Sequence, residues 1–233
     1  MTSPVDIKEA NALDTLKKAC EDLKQDELTC LRFLRARDGD VEKAEEMLRK
    51  SVNWRNENNV SSYIDWTPSK EIQEDFRYSC IGEDNEGYAV MYVPIGKWNI
   101  REIIEQGHKD EAFLFRFSIL EQFMHFVRQT KQYQFVIILD LKECTYWKVA
   151  HTATIQLLIS AFRDFESNYP ERLRAAYVIN APWIFPYVYA FIKPMLSGHT
   201  LSKVKIFDAN VSQWKPALLE RISENMLPEE CEC

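Results

Sequence analysis

The sequence predicts an α/β fold in which an N-terminal helical lobe precedes a largely parallel sheet flanked by helices. Three observations lead there. The first third of the chain repeats apolar residues at three- and four-residue spacing. After Pro68, β-prone runs alternate with stretches of helical period. One run, Phe135-Val136-Ile137-Ile138-Leu139, is apolar at every position, as a strand covered on both faces must be. An apolar fraction of 46% over 233 residues supplies a full core and excludes global disorder.

Leu13, Leu16, Cys20 and Leu23 place one stripe on a first short helix. Asp26 stands where it can cap a second, whose buried face is expected to be Leu28, Leu31 and Leu34. Asp38-Gly39-Asp40 breaks the chain, and Asp40 caps a third helix carrying Val41, Ala44, Leu48 and Val52. The helical lobe is expected over 1–59 and the sheet-bearing domain over 70–230. No second copy recurs at a fixed period, which sets aside a tetratricopeptide-like array.

Phe76 to Ile81 and Tyr88 to Ile95 read as strands joined by a hairpin-like segment from Gly82 to Gly87. A long helix is expected from Ile100 to Arg128, with Phe113, Phe117, Leu120 and Met124 at helical spacing. Beyond the 135–139 strand comes an amphipathic helix with Ile155, Leu158, Ile159, Phe162 and Phe165. A strand from Ala175 to Ile179, a helix, a strand from Val204 to Phe207 and a last helix carrying Trp214, Leu218 and Ile222 complete the alternation. Such alternation makes the sheet mostly parallel.

Charge and motif exclude several function classes. The 29 basic against 36 acidic residues give −7, which argues against a nucleic-acid partner. The start carries neither a basic cluster nor an apolar run, so no signal peptide is expected. No apolar run approaches the ~20 residues that span a bilayer. The six cysteines lack Cys-x-x-Cys spacing and are expected as free thiols, with Cys231 and Cys233 on a solvated tail. These features together lead to the expectation of a soluble cytosolic monomer. Four scattered histidines offer no metal spacing, and no Gly-x-Ser-x-Gly elbow is present. Gly82 and Gly87 have phosphate-loop spacing, but Tyr88 stands where the lysine must be. No dinucleotide cradle follows any strand, so no cofactor and no enzyme is expected. Asp140, a lone carboxylate at a strand end, reads first as a capping or hydrogen-bonding group and only weakly as a hydrolase acid.

One segment departs from an ordinary α/β helix. Residues 184–196 are apolar nearly all round, with Lys193 the only charge. The apolar members are Phe185, Tyr187, Val188, Tyr189, Phe191, Ile192, Met195 and Leu196. Two readings stand: a helix buried on both sides, or a movable cover with one face over an internal apolar cavity and the other toward a membrane. Pro186 and Pro194 would then mark its ends. Phe135, Ile137 and Leu139 on the strand, with Phe162 and Phe165 on the helix, would supply the cavity walls.

The stretches Leu31-Arg32-Phe33-Leu34-Arg35-Ala36-Arg37, Tyr169-Pro170-Glu171-Arg172-Leu173 and Ile179-Asn180-Ala181-Pro182 resemble the CRAL-TRIO lipid-binding family. So do Ile192-Lys193-Pro194-Met195-Leu196 and Leu201-Ser202-Lys203-Val204. The resemblance runs in order from about Asp26 to Pro228. It covers phosphatidylinositol-transfer proteins and carriers of tocopherol and retinal. The wording around Phe185 to Thr200 is most similar to an animal branch that adds a C-terminal jelly-roll (GOLD) domain, which is not expected in this sequence. What the resemblance implies is a gate helix from Phe185 to Leu196 over a lipid pocket, and a phosphoinositide headgroup held at positions matching Arg37, Glu171 and Lys203. It also implies transient membrane contact during exchange of lipid between membranes. A lipid-occupancy sensor that presents its lipid to a partner protein is the alternative.

Departures from the family pattern sharpen the expectation. The hairpin reads Glu86-Gly87-Tyr88-Ala89-Val90 rather than Asp-Gly-Arg-Pro-Val. The strand of Phe135, Ile137 and Leu139 has no hydroxyl for a choline headgroup, which favours a tocopherol, a retinoid or another isoprenoid, or an acyl chain. The usual aromatic-Gly-Gly closure after Leu227-Pro228 is replaced by Glu229-Glu230-Cys231-Glu232-Cys233, read as a truncated or variant end.

Overall fold

The structure, a computed structural model, describes residues 6–228. The expectations for the Cys231/Cys233 tail and for the last residues of the 70–230 domain lie outside the described residues. Three helices open the chain: α1 (Ile7–Ala19), α2 (Glu27–Arg35) and α3 (Val41–Glu57). Each begins at an aspartate. Asp6 accepts from Glu9 N at 2.8 Å, Asp26 from Thr29 N at 2.6 Å and Asp40 from Lys43 N at 3.1 Å. Such caps contribute about 1 kcal/mol each by satisfying amides that have no partner inside the helix. Leu16, Leu34 and Leu48 form the heart of a separate small core between the three helices. Leu28, expected inside, is an exposed residue; Cys30 and Phe33 take its place in the core. The apolar stripe of α2 is therefore centred one residue away from the expected face.

A short helix, α4 (Lys70–Asp75), precedes the sheet and ends at Phe76, so Phe76 belongs to a helix terminus and not to a strand. The strands are β1 (Ser79–Glu83), β2 (Ala89–Val93), β3 (Phe135–Asp140), β4 (Leu173–Ile179) and β5 (Val204–Ile206). They lie in the order β1-β2-β3-β4-β5, with β1 antiparallel to β2 and every other pair parallel. Between β2 and β3 run α5 (Ile100–Ile103) and α6 (Lys109–Gln129). The single helix expected from Ile100 to Arg128 is broken at Gly107, whose φ of 100° no helix accommodates. Between β3 and β4 come α7 (Tyr146–Val149) and α8 (Thr152–Asn168). Between β4 and β5 come α9 (Phe185–Ile192) and α10 (Gly198–Leu201), and α11 (Val211–Leu219) follows β5.

The strand order advances in one direction, and parallel crossovers are right-handed, so the crossover helices collect on one face of the sheet. Side-chain parity on the strands agrees. Val136 and Ile138 point to the other face, where they pack with Trp214, Leu218 and Ile222, all at most 1% exposed. Phe135, Ile137 and Leu139 point toward α6 and α8.

The helical lobe is tied to the sheet domain through α3 and α6. Arg55 makes a two-pronged pair with Glu121 at 3.0 and 2.9 Å, and the Tyr169 hydroxyl donates to the same carboxylate at 2.6 Å. Trp54 meets Phe117 edge-on at 5.4 Å beside it. Glu121 is buried, and burial drives the Tyr169 phenol upward, with the Glu121 charge adding to it. Removing one member of a buried pair leaves the other uncompensated, at a cost of about 3–5 kcal/mol. Glu121→Ala is therefore expected to lower the unfolding free energy by roughly 3 kcal/mol in a urea titration. A loss under about 1 kcal/mol would show that the network is dispensable.

Candidate functional site

The two faces of β3 meet different surroundings, although Val136, Ile137, Ile138 and Leu139 are all aliphatic. Val136 and Ile138 are completely buried, whereas Ile137 and Leu139, one residue along, are only half-buried although they lie in the central strand of the sheet. The reason is a hollow. Between the sheet and the crossover helices lies a cavity of about 250 Å³ whose wall is almost wholly apolar. Phe135, Ile137 and Leu139 form its floor, and Phe162 and Phe165 from α8 form one wall. All five residues expected at the pocket are brought together there.

The wall contributed by α6 was not anticipated. Phe115, Ile119 and Phe123 line the cavity. Of the stripe read from the sequence, Phe117 instead packs against Trp54 and Tyr63 on the lobe side. The signal was present: α6 is apolar on more than one face because it separates two apolar environments. Arg116 also lines the cavity, but its charge is answered by Asp164 at 2.7 Å and by the Phe117 ring at 4.0 Å. Burial raises the Asp164 carboxyl, and the hydrogen bond from Arg116 pulls against it.

The remaining side is closed by α9 and the short 3-10 turn Lys193–Met195 that follows. Pro186 sits in the first turn of α9, where its missing N–H costs nothing, and Pro194 lies within the 3-10 turn. Phe185, Val188, Tyr189, Ile192 and Leu196 face the cavity. Tyr187 and Phe191, at 64% and 56% exposure, face outward. Met195 is half-buried outside the lining, its sulfur 3.7 Å from Arg163 Nη2. Trp183, just before α9, and Trp147 on α7 add large exposed aromatics.

The polar residues Arg37, Glu171 and Lys203 are only partly assembled. Glu171 precedes β4 at a left-handed φ of 57°. The loop is held by Gln134 Nε2 donating to Glu171 O at 3.1 Å and by Arg32 Nη1 donating to Pro170 O at 3.3 Å. The Glu171 carboxylate meets Lys203 Nζ at 3.4 Å and His199 Nε2 at 2.9 Å. Arg37 instead donates to Ala36 O at 2.8 Å and bonds to neither. His199, on α10, was not anticipated; its helix covers the gap before Lys203, and no local pattern marks it. Burial pulls the Arg32 guanidinium down to about 9, with the like charge of Arg172 adding to it, and burial pulls Arg172 down to about 10.

Asp140 lies on the opposite face from the cavity by strand parity. Tyr92 Oη at 2.9 Å, Asn180 Nδ2 at 2.8 Å and the Lys142 amide at 2.8 Å all donate to it. Its oxygens are engaged in holding strand ends together, which is the hydrogen-bonding role expected first.

Residues 74–232 match the CRAL/TRIO domain, and residues 12–50 match the CRAL/TRIO N-terminal domain. The chain belongs to the CRAL-TRIO family. CRAL-TRIO proteins are lipid-binding and lipid-transfer proteins. The chain is 26% identical over 209 residues to the CRAL-TRIO domain-containing protein T23G5.2 of Caenorhabditis elegans, covering 85% of this chain and 28% of that protein. It thus spans less than a third of that relative's length. The crystal structure of Sfh5 is similar in fold, with a TM-score of 0.72 over 91% of this chain and 84% of that one at 19% identity. Among the described residues of this CRAL-TRIO chain, no helix is long and apolar enough to cross a membrane.

Proposed function

We propose that this protein holds a hydrophobic lipid in the cavity beneath α9 and exchanges it between membranes, α9 acting as the gate. The observation that carries the reading is the incomplete burial of Ile137 and Leu139, which face an apolar hollow, beside the closed packing of Val136 and Ile138. An apolar space of this size that the protein's own side chains do not fill is one where a hydrocarbon guest gains packing contacts. Burying each CH₂ of a chain is worth ~0.8 kcal/mol relative to water. A bilayer offers nearly the same, so transfer between bilayer and cavity is close to neutral and the protein acts on the barrier. The outward aromatics Tyr187 and Phe191 give the gate an apolar side to lay on a membrane when it opens.

The Glu171–Lys203 pair supports a contact for a lipid headgroup at the sheet edge where β4 and β5 begin. Lys203 would meet a phosphate, Glu171 sugar hydroxyls, and Arg37 would join by leaving Ala36 O. Arg37→Ala with Lys203→Ala is expected to weaken phosphoinositide binding by at least ~10-fold, since charge-assisted hydrogen bonds are worth about 1.5–3 kcal/mol. Unchanged vesicle binding and loading would make both residues structural. The reading as a whole is tested by native mass spectrometry of protein from its own cells, followed by lipid extraction. A stoichiometric lipid that also moves between vesicles is expected. A lipid that is bound and never exchanged would make the protein an occupancy sensor.

A further inference from the structure

The cavity runs along the strands and ends differently at its two edges. At the edge where β4 and β5 begin, Thr200 and Val204 line it, beside the Glu171–Lys203 pair. Phe135 and Leu139 lie roughly 13 Å apart by strand rise. At the far edge, beyond the ends of β2 and β3, the lining includes Gly96, Cys144 and Lys148. Lys148 is carried by α7 and reaches to the turn after β2. There its Nζ donates to Gly96 O at 2.9 Å and to Lys97 O at 3.2 Å. The turn is held in place by close backbone contact. Gly96 N donates to Asp140 O at 2.8 Å, and a Cβ at Gly96 would come within 2.3 Å of Lys142 O.

Two cations line the cavity. Arg116 has its carboxylate in Asp164; among the described residues Lys148 has none. Two neutral carbonyls satisfy two of the three ammonium N–H groups and leave the charge unbalanced and one donor free. Lys148 is part-buried at the rim of an apolar space, where an anion small enough to share that end would pair with its charge.

We infer that Lys148 is a second polar pole of the cavity, reading the carboxylate of a single-chain lipid acid whose hydrocarbon lies along Leu139 and Ile137. The inference rests on the cavity being a lipid site and names a ligand class for it. Burial raises the Cys144 thiol and the Lys148 charge opposes that rise, which agrees with the two sharing one end of the hollow. The Lys148 ammonium supplies one charge and one free N–H, which suits a carboxylate and leaves a phosphate diester poorly served.

The test equilibrates the whole chain with phosphatidylcholine vesicles containing labelled oleate or methyl oleate. Both probes have the same chain, and only one carries the charge. The wild type is expected to retain oleate at least ~10-fold over methyl oleate. Lys148→Met is expected to remove that preference and leave methyl oleate binding unchanged, while Lys148→Arg keeps most of it. Equal retention of the two lipids by the wild type, or an undiminished preference in Lys148→Met, overturns the assignment while the cavity reading stands. If Lys148→Met does not fold, the wild-type preference and Lys148→Gln decide the same point. Failure of the wild type to take up either lipid overturns this inference together with the cavity reading.

Discussion

Phe191→Asp is expected to stop transfer of lipid between vesicles while leaving the protein folded. Phe191 points outward from α9 at 56% exposure, so its replacement removes little native packing. In the open state the same side chain meets lipid. There a carboxylate costs about 2.5–3.5 kcal/mol if carried to the hydrocarbon, and the lost aromatic burial adds to it. Those terms correspond to a fall in transfer rate of roughly 100-fold or more, at 1.4 kcal/mol per tenfold. Tyr187→Asp, one helical turn earlier on the same outward side, is expected to behave alike. The measurement is fluorescent-lipid transfer between donor and acceptor vesicles, beside a thermal melt. A folded Phe191→Asp protein that transfers lipid at the wild-type rate removes α9 from the mechanism.

The second large effect separates the two faces of one strand. Ile137→Trp adds volume where there is empty space, and Ile138→Trp adds the same volume where there is none. Overpacking a filled core costs about 1–3 kcal/mol or more, through side chains forced off their rotamers and displaced backbone. Ile138→Trp is therefore expected to lower the urea midpoint sharply, because Trp214 and Leu218 have no room to yield. Ile137→Trp is expected to leave the midpoint unchanged or raised and to abolish lipid retention, since the indole takes the guest's place. Equal destabilisation by the two would mean that the cavity face is as tightly filled as the other.

Much of the architecture was readable locally. The aspartates at 26 and 40 cap helices through bonds spanning three residues, so their effect depends on little beyond their neighbours; Asp6 does the same and was not anticipated. The β3 run declares itself because it is short, apolar throughout and rich in β-branched residues, as a strand covered on both faces is. The errors were local conflicts settled from outside. Phe76 is β-prone, yet it stacks on Trp98 at 4.9 Å from a helix terminus, a contact across more than twenty residues. Leu28 fits the α2 stripe by spacing alone, but the lobe packs a neighbouring face of that helix, leaving it at 37% exposure.

The candidate site divides the same way. The greasy segment at 184–196 was conspicuous because its composition contradicts a solvent-facing helix, and that contradiction survives without coordinates. Lys148 was invisible, since one lysine in a four-residue helix carries no pattern until its ammonium is found at the rim of a cavity.

From the chain alone came the alternation of strands and helices, the helix starts at Asp26 and Asp40 and the run that became the central strand, all of them set by interactions reaching a few residues along the backbone. The sequence nominated Phe135, Ile137 and Leu139 as cavity walls, and tertiary structure decided that their side of the strand is hollow and the other filled. Val136 and Ile137 are equally apolar neighbours, and the difference between them is made by α11 lying close on one face while α6, α8 and α9 stand apart on the other. Packing is a property of what meets across the fold, so the volume of a void is set by elements far apart in the chain.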